Sequence, residues 1–181
     1  MPSARPARAF TLIEVMIVVV IVGVLALVAT VAYRKWILSS YVGEAQEMLG
    51  NIRVSEEAFR AENTGYLNVS ASLTDLYPTT APNGNSKTAW GASPGQWAAL
   101  NVNPSAPVRF GYAVIADNTP PDAPPATVTN NGVAVDLTPM LGKPWFVATA
   151  VCDIDNNSTT PSTTLYAVSG TNTIFVNNEG Q

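Results

Sequence analysis

The residue of this chain that most needs a chemical explanation is Glu14, an acid inside an apolar segment. Residues 10–33 contain no other charged side chain. A carboxylate at the centre of a lipid bilayer costs about 2.5 to 3.5 kcal/mol on insertion scales, so an acid there is expected to have a specific partner. We therefore interpret Glu14 as a functional residue. The competing interpretation is that its side chain reaches headgroups and water at the membrane surface.

Residue types argue against catalysis and against nucleic-acid binding. The chain has no histidine, and Cys152 is its single cysteine. A cysteine nucleophile needs a nearby base or cation to form its thiolate, so we predict that the chain is not an enzyme and that Cys152 packs in a core. One cysteine also excludes a disulfide within the chain. From Asn63 onward there are three basic and seven acidic residues, which is not the charge of a nucleic-acid-binding surface.

A metal ion is the remaining chemical hypothesis. Asp153, Asp155 and Asn157 place oxygen-bearing side chains at alternate positions, which suits calcium. The glycine and the downstream bidentate glutamate of a complete calcium-binding loop are missing. An Asx-rich hairpin turn is therefore the favoured interpretation, and no cofactor other than this calcium ion is predicted.

The element that positions Glu14 is an apolar helix behind a basic leader, residues 1–9. Residues 10–33 form a helix of about 36 Å at 1.5 Å per residue, which is long enough to cross a hydrocarbon core. A secretory signal peptide would have a shorter apolar region with its small-residue cleavage site behind it. Here the small-residue candidate, residues 7–9, lies in front, so cleavage would leave the helix at the new N-terminus. Arg5 and Arg8 of the leader favour an N-terminus on the cytoplasmic side, although a second basic pair, Arg34 and Lys35, follows the apolar segment.

The residues around this junction resemble the prepilin signature of type IV pilins and type II secretion pseudopilins. The signature reads Ala9, Phe10, Thr11, Leu12, Ile13, Glu14 and then an apolar run. The resemblance implies that a prepilin peptidase cleaves between Ala9 and Phe10 and methylates the new amine of Phe10. Family members more often have glycine where this chain has Ala9. The resemblance also implies that Glu14 pairs with the N-terminal amine of a neighbouring subunit, which would set the stagger between subunits because an unpaired charge in an apolar bundle is strongly penalised.

Three assembly residues follow from this resemblance: Thr11, Glu14 and Gly23. Two interpretations of Gly23 stay open, namely local unwinding of the helix during assembly and close packing of neighbouring helices. Many type IV pilins have a proline in the latter half of this segment, whereas residues 29–32 contain none. The implied partners are other copies of the chain, a prepilin peptidase, an inner-membrane assembly platform and the lipid bilayer before assembly. The implied location is the bacterial inner membrane with a cytoplasmic leader, and then an extracellular pilus or a periplasmic pseudopilus.

The helix is predicted to continue through residues 34–62 as an amphipathic segment and to run from about Phe10 to Glu62. Asn63 and Gly65 favour a left-handed cap at its end. Apolar residues recur at spacings of three, four and seven. They are Leu38, Val42, Ala45, Leu49, Ile52 and Phe59. The charged residues, which mostly occupy other faces, are Glu44, Glu47, Arg53, Glu56, Glu57 and Arg60.

Residues 63–181 are predicted to form a β-rich head. Segments rich in β-branched and aromatic residues predict strands at residues 108–117, 145–153, 164–169 and 173–177. Residues 64–107 are predicted to be a connecting region, with a helical turn at residues 73–76 and with Trp90 and Trp97 as anchors of the core.

Alternation within residues 145–153 determines how a helix can meet this sheet. One face of the segment consists of Phe146, Ala148, Ala150 and Cys152, and its small side chains let a helix approach closely. A long helix packed on one side of an antiparallel sheet is an α+β fold. The resemblance implies the same pilin-like architecture.

Three functions agree with the sequence. The favoured one is a structural subunit of a type IV pilus that is cleaved after Ala9, methylated at Phe10 and polymerised through its N-terminal helix. The second is a pseudopilin of a type II secretion system, which would share the N-terminus and form a short periplasmic filament. The third is a membrane-anchored adhesin or binding module that does not polymerise.

Overall fold

The computed structural model describes residues 10–92, 95–119, 123–125, 128–154, 156 and 163–178. Helix α1, Leu12–Asn63, has 52 residues and confirms the helix that periodicity predicts. The chain forms two compact units, residues 1–37 and 38–181. In the first unit the described side chains up to Trp36 are exposed. In the second unit, α1 has a buried face that packs in the head.

The end of α1 differs in detail from the predicted cap. The residue with left-handed backbone is Thr64, at φ 62°, and its N–H donates to the carbonyl of Arg60 at 2.9 Å. Gly65 is needed for a different reason, since a Cβ there would lie 2.6 Å from Cγ of Asn118. The glycine therefore admits a neighbouring side chain, and the threonine makes the turn.

The elements after α1 are α2 Gln96–Ala99, β1 Gly111–Asp117, β2 Thr129–Asn130, β3 Val133–Ala134, a 3-10 turn Thr138–Met140, β4 Trp145–Cys152, β5 Thr163–Val168 and β6 Ile174–Asn177. Four antiparallel strands in the order β1-β4-β5-β6 form the main sheet. The four predicted strands are confirmed, with bounds that differ by at most three residues. The short β2–β3 hairpin was not predicted, although Asn131 and Gly132, both at positive φ, are the residues that such a tight turn prefers.

The two faces of β4 belong to two separate parts of the core. Phe146, Ala148, Ala150 and Cys152 lie in the cluster that holds the buried face of α1, whose members are Val42, Ala45, Met48, Leu49 and Ile52. Trp145 and Val147 lie in a second cluster with Val128, Met140 and Val168. The prediction that a helix packs on the small-residue face is confirmed.

The connecting region is anchored by aromatic rings, as predicted. Trp90 and Trp97 are both buried, with ring centroids 5.2 Å apart in an edge-to-face arrangement. Tyr77 contacts both rings. At residues 73–76, where a helical turn is predicted, the chain makes a single turn in which Asp75 N–H donates to the carbonyl of Ser72 at 3.1 Å. The turn does not continue as a helix, because the side chains of Asp75 and Ser72 accept hydrogen bonds from the N–H groups of Ala71 and Thr74.

Both outer strands of the main sheet are covered by other parts of the chain. On β1, Tyr112 exchanges backbone hydrogen bonds with Tyr77, and Ser70 N–H donates to Val114 at 2.8 Å. On β6, the Asn177 amide donates to the carbonyl of Thr129 at 2.7 Å. Unpaired sheet edges invite pairing with other chains, so these contacts protect the head from edge-to-edge association.

Arg53 of α1 holds the turn between β5 and β6. Its guanidinium donates to the carbonyls of Asn172 at 2.8 Å and Thr173 at 3.2 Å. Cys152 is a free, buried cysteine, so these hydrogen bonds, and not a disulfide, connect this turn to the helix.

Replacing Arg53 with methionine removes both donors while keeping most of the aliphatic stem. We expect the free energy of unfolding to fall by about 1 to 3 kcal/mol, because two carbonyls lose a charged donor. The measurement is thermal unfolding of the full chain in detergent micelles, followed by near-ultraviolet circular dichroism of the head's tryptophans and tyrosines. Lys143→Met, which removes an exposed cation, is the control and should change stability by less than about 0.5 kcal/mol. Equal effects of the two substitutions would contradict the role of Arg53.

Gly84 is required by a close approach of two backbone segments. Its N–H donates to the carbonyl of Asp153, and Asp153 N–H donates to the carbonyl of Pro82 at 3.2 Å. A Cβ at Gly84 would overlap the backbone of Ile154.

We expect Gly84→Ala to lower the free energy of unfolding by about 1 to 3 kcal/mol, because the added methyl group forces the two segments apart. Gly43→Ala is the matched control, since nothing lies within 4 Å of a Cβ at that helical position. It should raise stability by about 0.5 to 1 kcal/mol through helix propensity. The same micelle unfolding assay measures both, and a tolerated Gly84→Ala would contradict the close approach.

Candidate functional site

The first turn of α1 is organised by two reciprocal interactions between Thr11 and Glu14. Glu14 Oε2 accepts hydrogen bonds from Thr11 N–H at 2.9 Å and from Thr11 Oγ1 at 2.8 Å. Glu14 N–H donates to Thr11 Oγ1 at 3.3 Å. This is a capping box, which satisfies two backbone donors that a helix start otherwise leaves open.

The capping box fixes the Glu14 carboxylate at the start of the helix, next to Phe10. Both hydrogen bonds go to Oε2, and within the described residues no hydrogen bond reaches Oε1. The side chains of Phe10, Thr11 and Glu14 are exposed. One carboxylate oxygen is therefore used inside the subunit, and the other is available to a donor from outside it.

Gly23 lies within α1, and the fold of the isolated subunit does not require a glycine at this position. Its backbone is helical, and nothing lies within 4 Å of a Cβ built there. A larger side chain would fit in the isolated subunit, so a need for glycine at this position must come from another molecule or another conformation. Both interpretations of Gly23 therefore stay predictions.

Helix α1 is long and apolar enough to cross a membrane. Its membrane-compatible part includes Glu14 and Gly23. Ala9, the residue before the predicted cleavage site, lies outside the described residues, together with the rest of the leader.

Comparison with protein families identifies this N-terminal segment. Residues 4–30 match the model of the prokaryotic N-terminal methylation motif. The chain carries the methylation motif of type IV pilins and pseudopilins. The match includes Ala9, Phe10, Thr11, Glu14 and Gly23, so all the residues predicted for processing and assembly lie within the motif. Comparisons with curated proteins and with solved structures gave no match.

The methylation motif and the apolar helix together fit a membrane-anchored precursor. The motif ends at residue 30, so it says nothing of the head.

The predicted calcium ligands are only partly described. Asp153 directly follows β4, where its backbone pairs with Pro82 and Gly84. Asp155 and Asn157 lie outside the described residues. Within the described part of the chain, no three acidic, histidine or cysteine side chains come together as a metal site. The calcium site stays a prediction.

The calcium hypothesis predicts that chelation destabilises the head. A ligand at 100 times its Kd stabilises a folded protein by about 2.7 kcal/mol, so EDTA should lower the Tm of the full chain in micelles and excess Ca²⁺ should restore it. Asp153→Asn should weaken this response, whereas Glu62→Gln, which neutralises an exposed acid at the end of α1, should not. A Tm that chelator leaves unchanged would support the Asx-rich turn and exclude calcium.

A second polar site, at the C-terminal end of α1, was missed in the sequence. Glu56 was expected on a mostly exposed face, but it is fully buried, and its Oε2 accepts the N–H of Leu67 at 2.9 Å. Next to it, Tyr66 O–H donates to Glu57 at 2.8 Å and accepts from Arg60 at 3.0 Å. Burial and the bond to Glu57 raise the pKa of Tyr66 to about 12.

The spacing of α1 contains a signal for the buried acid. Glu56 follows Ile52 by four residues and Leu49 by seven, which places it on the apolar side of the helix. The amino acid type suggested exposure, whereas the position on the helix determined burial.

Proposed function

We propose that this chain is a structural subunit of a type IV pilus, and that its role is assembly and not catalysis. The precursor would lie in the bacterial inner membrane with its leader in the cytoplasm. A prepilin peptidase would cleave it between Ala9 and Phe10 and methylate Phe10, and an assembly platform would add it to a filament. The observation that carries this proposal is the methylation motif at residues 4–30.

The geometry of Glu14 supports assembly through the N-terminus. Its carboxylate is held in place by Thr11, and Oε1 accepts no bond from the described residues. The methylated amine of Phe10 from a neighbouring copy is a cation that would fit this oxygen. Because the pair forms only when two helices have the correct stagger, it would select one register in the filament.

The exposed apolar surface of the N-terminal part of α1 also has to be covered by something other than the subunit itself. Side chains such as Leu12, Ile13 and Leu27 are more than 60% exposed. Apolar surface of this extent is unfavourable in water. Lipid would cover it in the precursor, and other copies of the same helix would cover it in a filament.

A pseudopilin of a type II secretion system is the second candidate, because the methylation motif is shared by both classes. It would form a short filament inside the periplasm. A pilus subunit instead appears in filaments sheared from the cell surface.

Shearing the producing cells and measuring the intact mass and N-terminal peptide of this chain tests the proposal. We expect filaments whose main component begins at N-methylated Phe10. Glu14→Gln should abolish them while cleavage continues, because removing one partner of a buried charge pair costs about 3 to 5 kcal/mol. Glu62→Gln, at an exposed position near the other end of α1, is the control and should leave filament yield unchanged.

The other outcomes separate the remaining candidates. Methylated chain found only in periplasmic filaments would support the pseudopilin. Methylated chain that stays in the membrane, with no effect of Glu14→Gln, would support the non-polymerising adhesin. Chain that begins only at Met1 would contradict prepilin processing.

A further inference from the structure

A buried acid lies where α1 meets the loop that follows it. Glu56 is fully buried. Its Oε2 accepts the N–H of Leu67 at 2.9 Å, and its Oε1 is buried with no hydrogen-bond partner. A carboxylate needs all its lone pairs satisfied when it is removed from water. This site instead suits a neutral carboxylic acid, which accepts one bond on Oε2 and holds its proton on the other oxygen.

The residue that Glu56 holds belongs to a loop that covers the edge of the main sheet. In this loop, residues 65–70, Tyr66 N–H donates to Asn118 Oδ1 at 2.8 Å, and the Asn118 amide donates back to the Tyr66 carbonyl at 2.8 Å. Ser70 N–H donates to Val114 of β1. The loop is thus bound to β1 and to Asn118, the residue that follows this strand. It is bound to α1 through the Leu67 N–H and through the Tyr66 hydroxyl.

We propose that Glu56 is a proton-controlled latch, which fixes the loop of residues 65–70 to α1 when it is protonated and releases the loop when it ionises. The latch acts within the head and does not depend on whether the filament is a pilus or a pseudopilus.

The two cations near Glu56 on the same helix, Arg53 and Arg60, are bound to other groups. Arg53 donates to the carbonyls of the β5–β6 turn. Arg60 donates to Tyr66 and pairs with Glu57 at 3.7 Å. An ionised Glu56 would therefore need either a rearrangement of these contacts or the entry of water.

Among the described residues, no cation of the loop or the sheet contributes to the electrostatics of Glu56, whose charged neighbour is Glu57. From the loop, the titratable group is Tyr66, whose hydroxyl donates to Glu57. On the sheet, the core cluster that holds the buried face of α1 contains apolar side chains, among them Val114, Phe146 and Ala148. The acid of β1, Asp117, accepts hydrogen bonds from Thr119. The environment favours the neutral acid.

The shift in the pKa of Glu56 agrees with this geometry. Burial raises the pKa of Glu56 from 4.5 to about 7; the Leu67 N–H opposes this shift and the charge of Glu57 adds to it. Because the folded pKa lies above the unfolded value, the closed loop is most stable below about pH 4.5 and loses stability as pH rises to about 7.

Hydrogen exchange of the full chain in detergent micelles, at pH 5 to 8, tests the latch. After division by the intrinsic exchange rate, the opening constant of the amides of residues 66–70 should rise by up to about tenfold per pH unit between pH 5 and 7 and then level off. Glu56→Gln mimics the protonated acid and should remove this dependence. Glu47→Gln, at an exposed position of α1, should keep it. Equal pH dependence in wild type and Glu56→Gln would overturn the proposal.

A second measurement uses the wild-type chain, so the proposal stays testable if Glu56→Gln does not fold. The carboxyl carbon of Glu56 can be titrated by nuclear magnetic resonance in the same micelles, with the Glu47 resonance as the internal comparison. A midpoint near 7 for Glu56 supports the latch. A midpoint near 4.5 overturns it.

Discussion

The packing of α1 on one face of β4 organises the whole head. Ala45 and Leu49 from the helix and Ala148 and Ala150 from the strand are fully buried. Together with Phe146 and Cys152 of the strand and the other buried residues of α1, they form one core cluster, and close packing of this kind gives a protein interior its density. Because strand side chains alternate between two faces, Trp145 and Val147 of β4 belong to a second cluster on the other side. β1 and β5 pair with β4 on either side, so they are placed by the same strand.

Two acids of α1, Glu14 and Glu56, show how the surroundings of a carboxylate determine which groups can bind it. Glu14 and Glu56 each accept a backbone N–H, from Thr11 and from Leu67. At Glu14 the second oxygen is exposed, so a charged donor from another molecule can reach it. At Glu56 the second oxygen is buried without a hydrogen-bond partner, which favours the neutral acid. The same side chain is therefore open to another molecule at one end of the helix and closed to solvent near the other.

Side-chain hydrogen bonds between residues that are far apart in the sequence hold the last strand of the sheet in place. Arg53 reaches a turn that lies 119 residues further along the chain, and Asn177 reaches back to the β2–β3 hairpin through Thr129 and Gly132. Each contact satisfies a backbone carbonyl or N–H near the C-terminal strand. One charged or amide side chain is enough to connect two distant segments in this way. A disulfide would need two cysteines, and the sequence contains one.

The sequence by itself determined the methylation motif, the length of α1 and the four strands of the main sheet. Those features depend on neighbouring residues: the methylation motif is contiguous, and helix and strand periodicities repeat every few positions. The β2–β3 hairpin was missed because two-residue strands carry too little pattern, although Asn131 and Gly132 marked the turn. Only the tertiary structure decided that Glu56 accepts the N–H of Leu67 while its other oxygen is buried without a partner, and that Arg53 holds the β5–β6 turn. Burial and long-range hydrogen bonds depend on which distant segments meet, and that is set by the packing of the whole head.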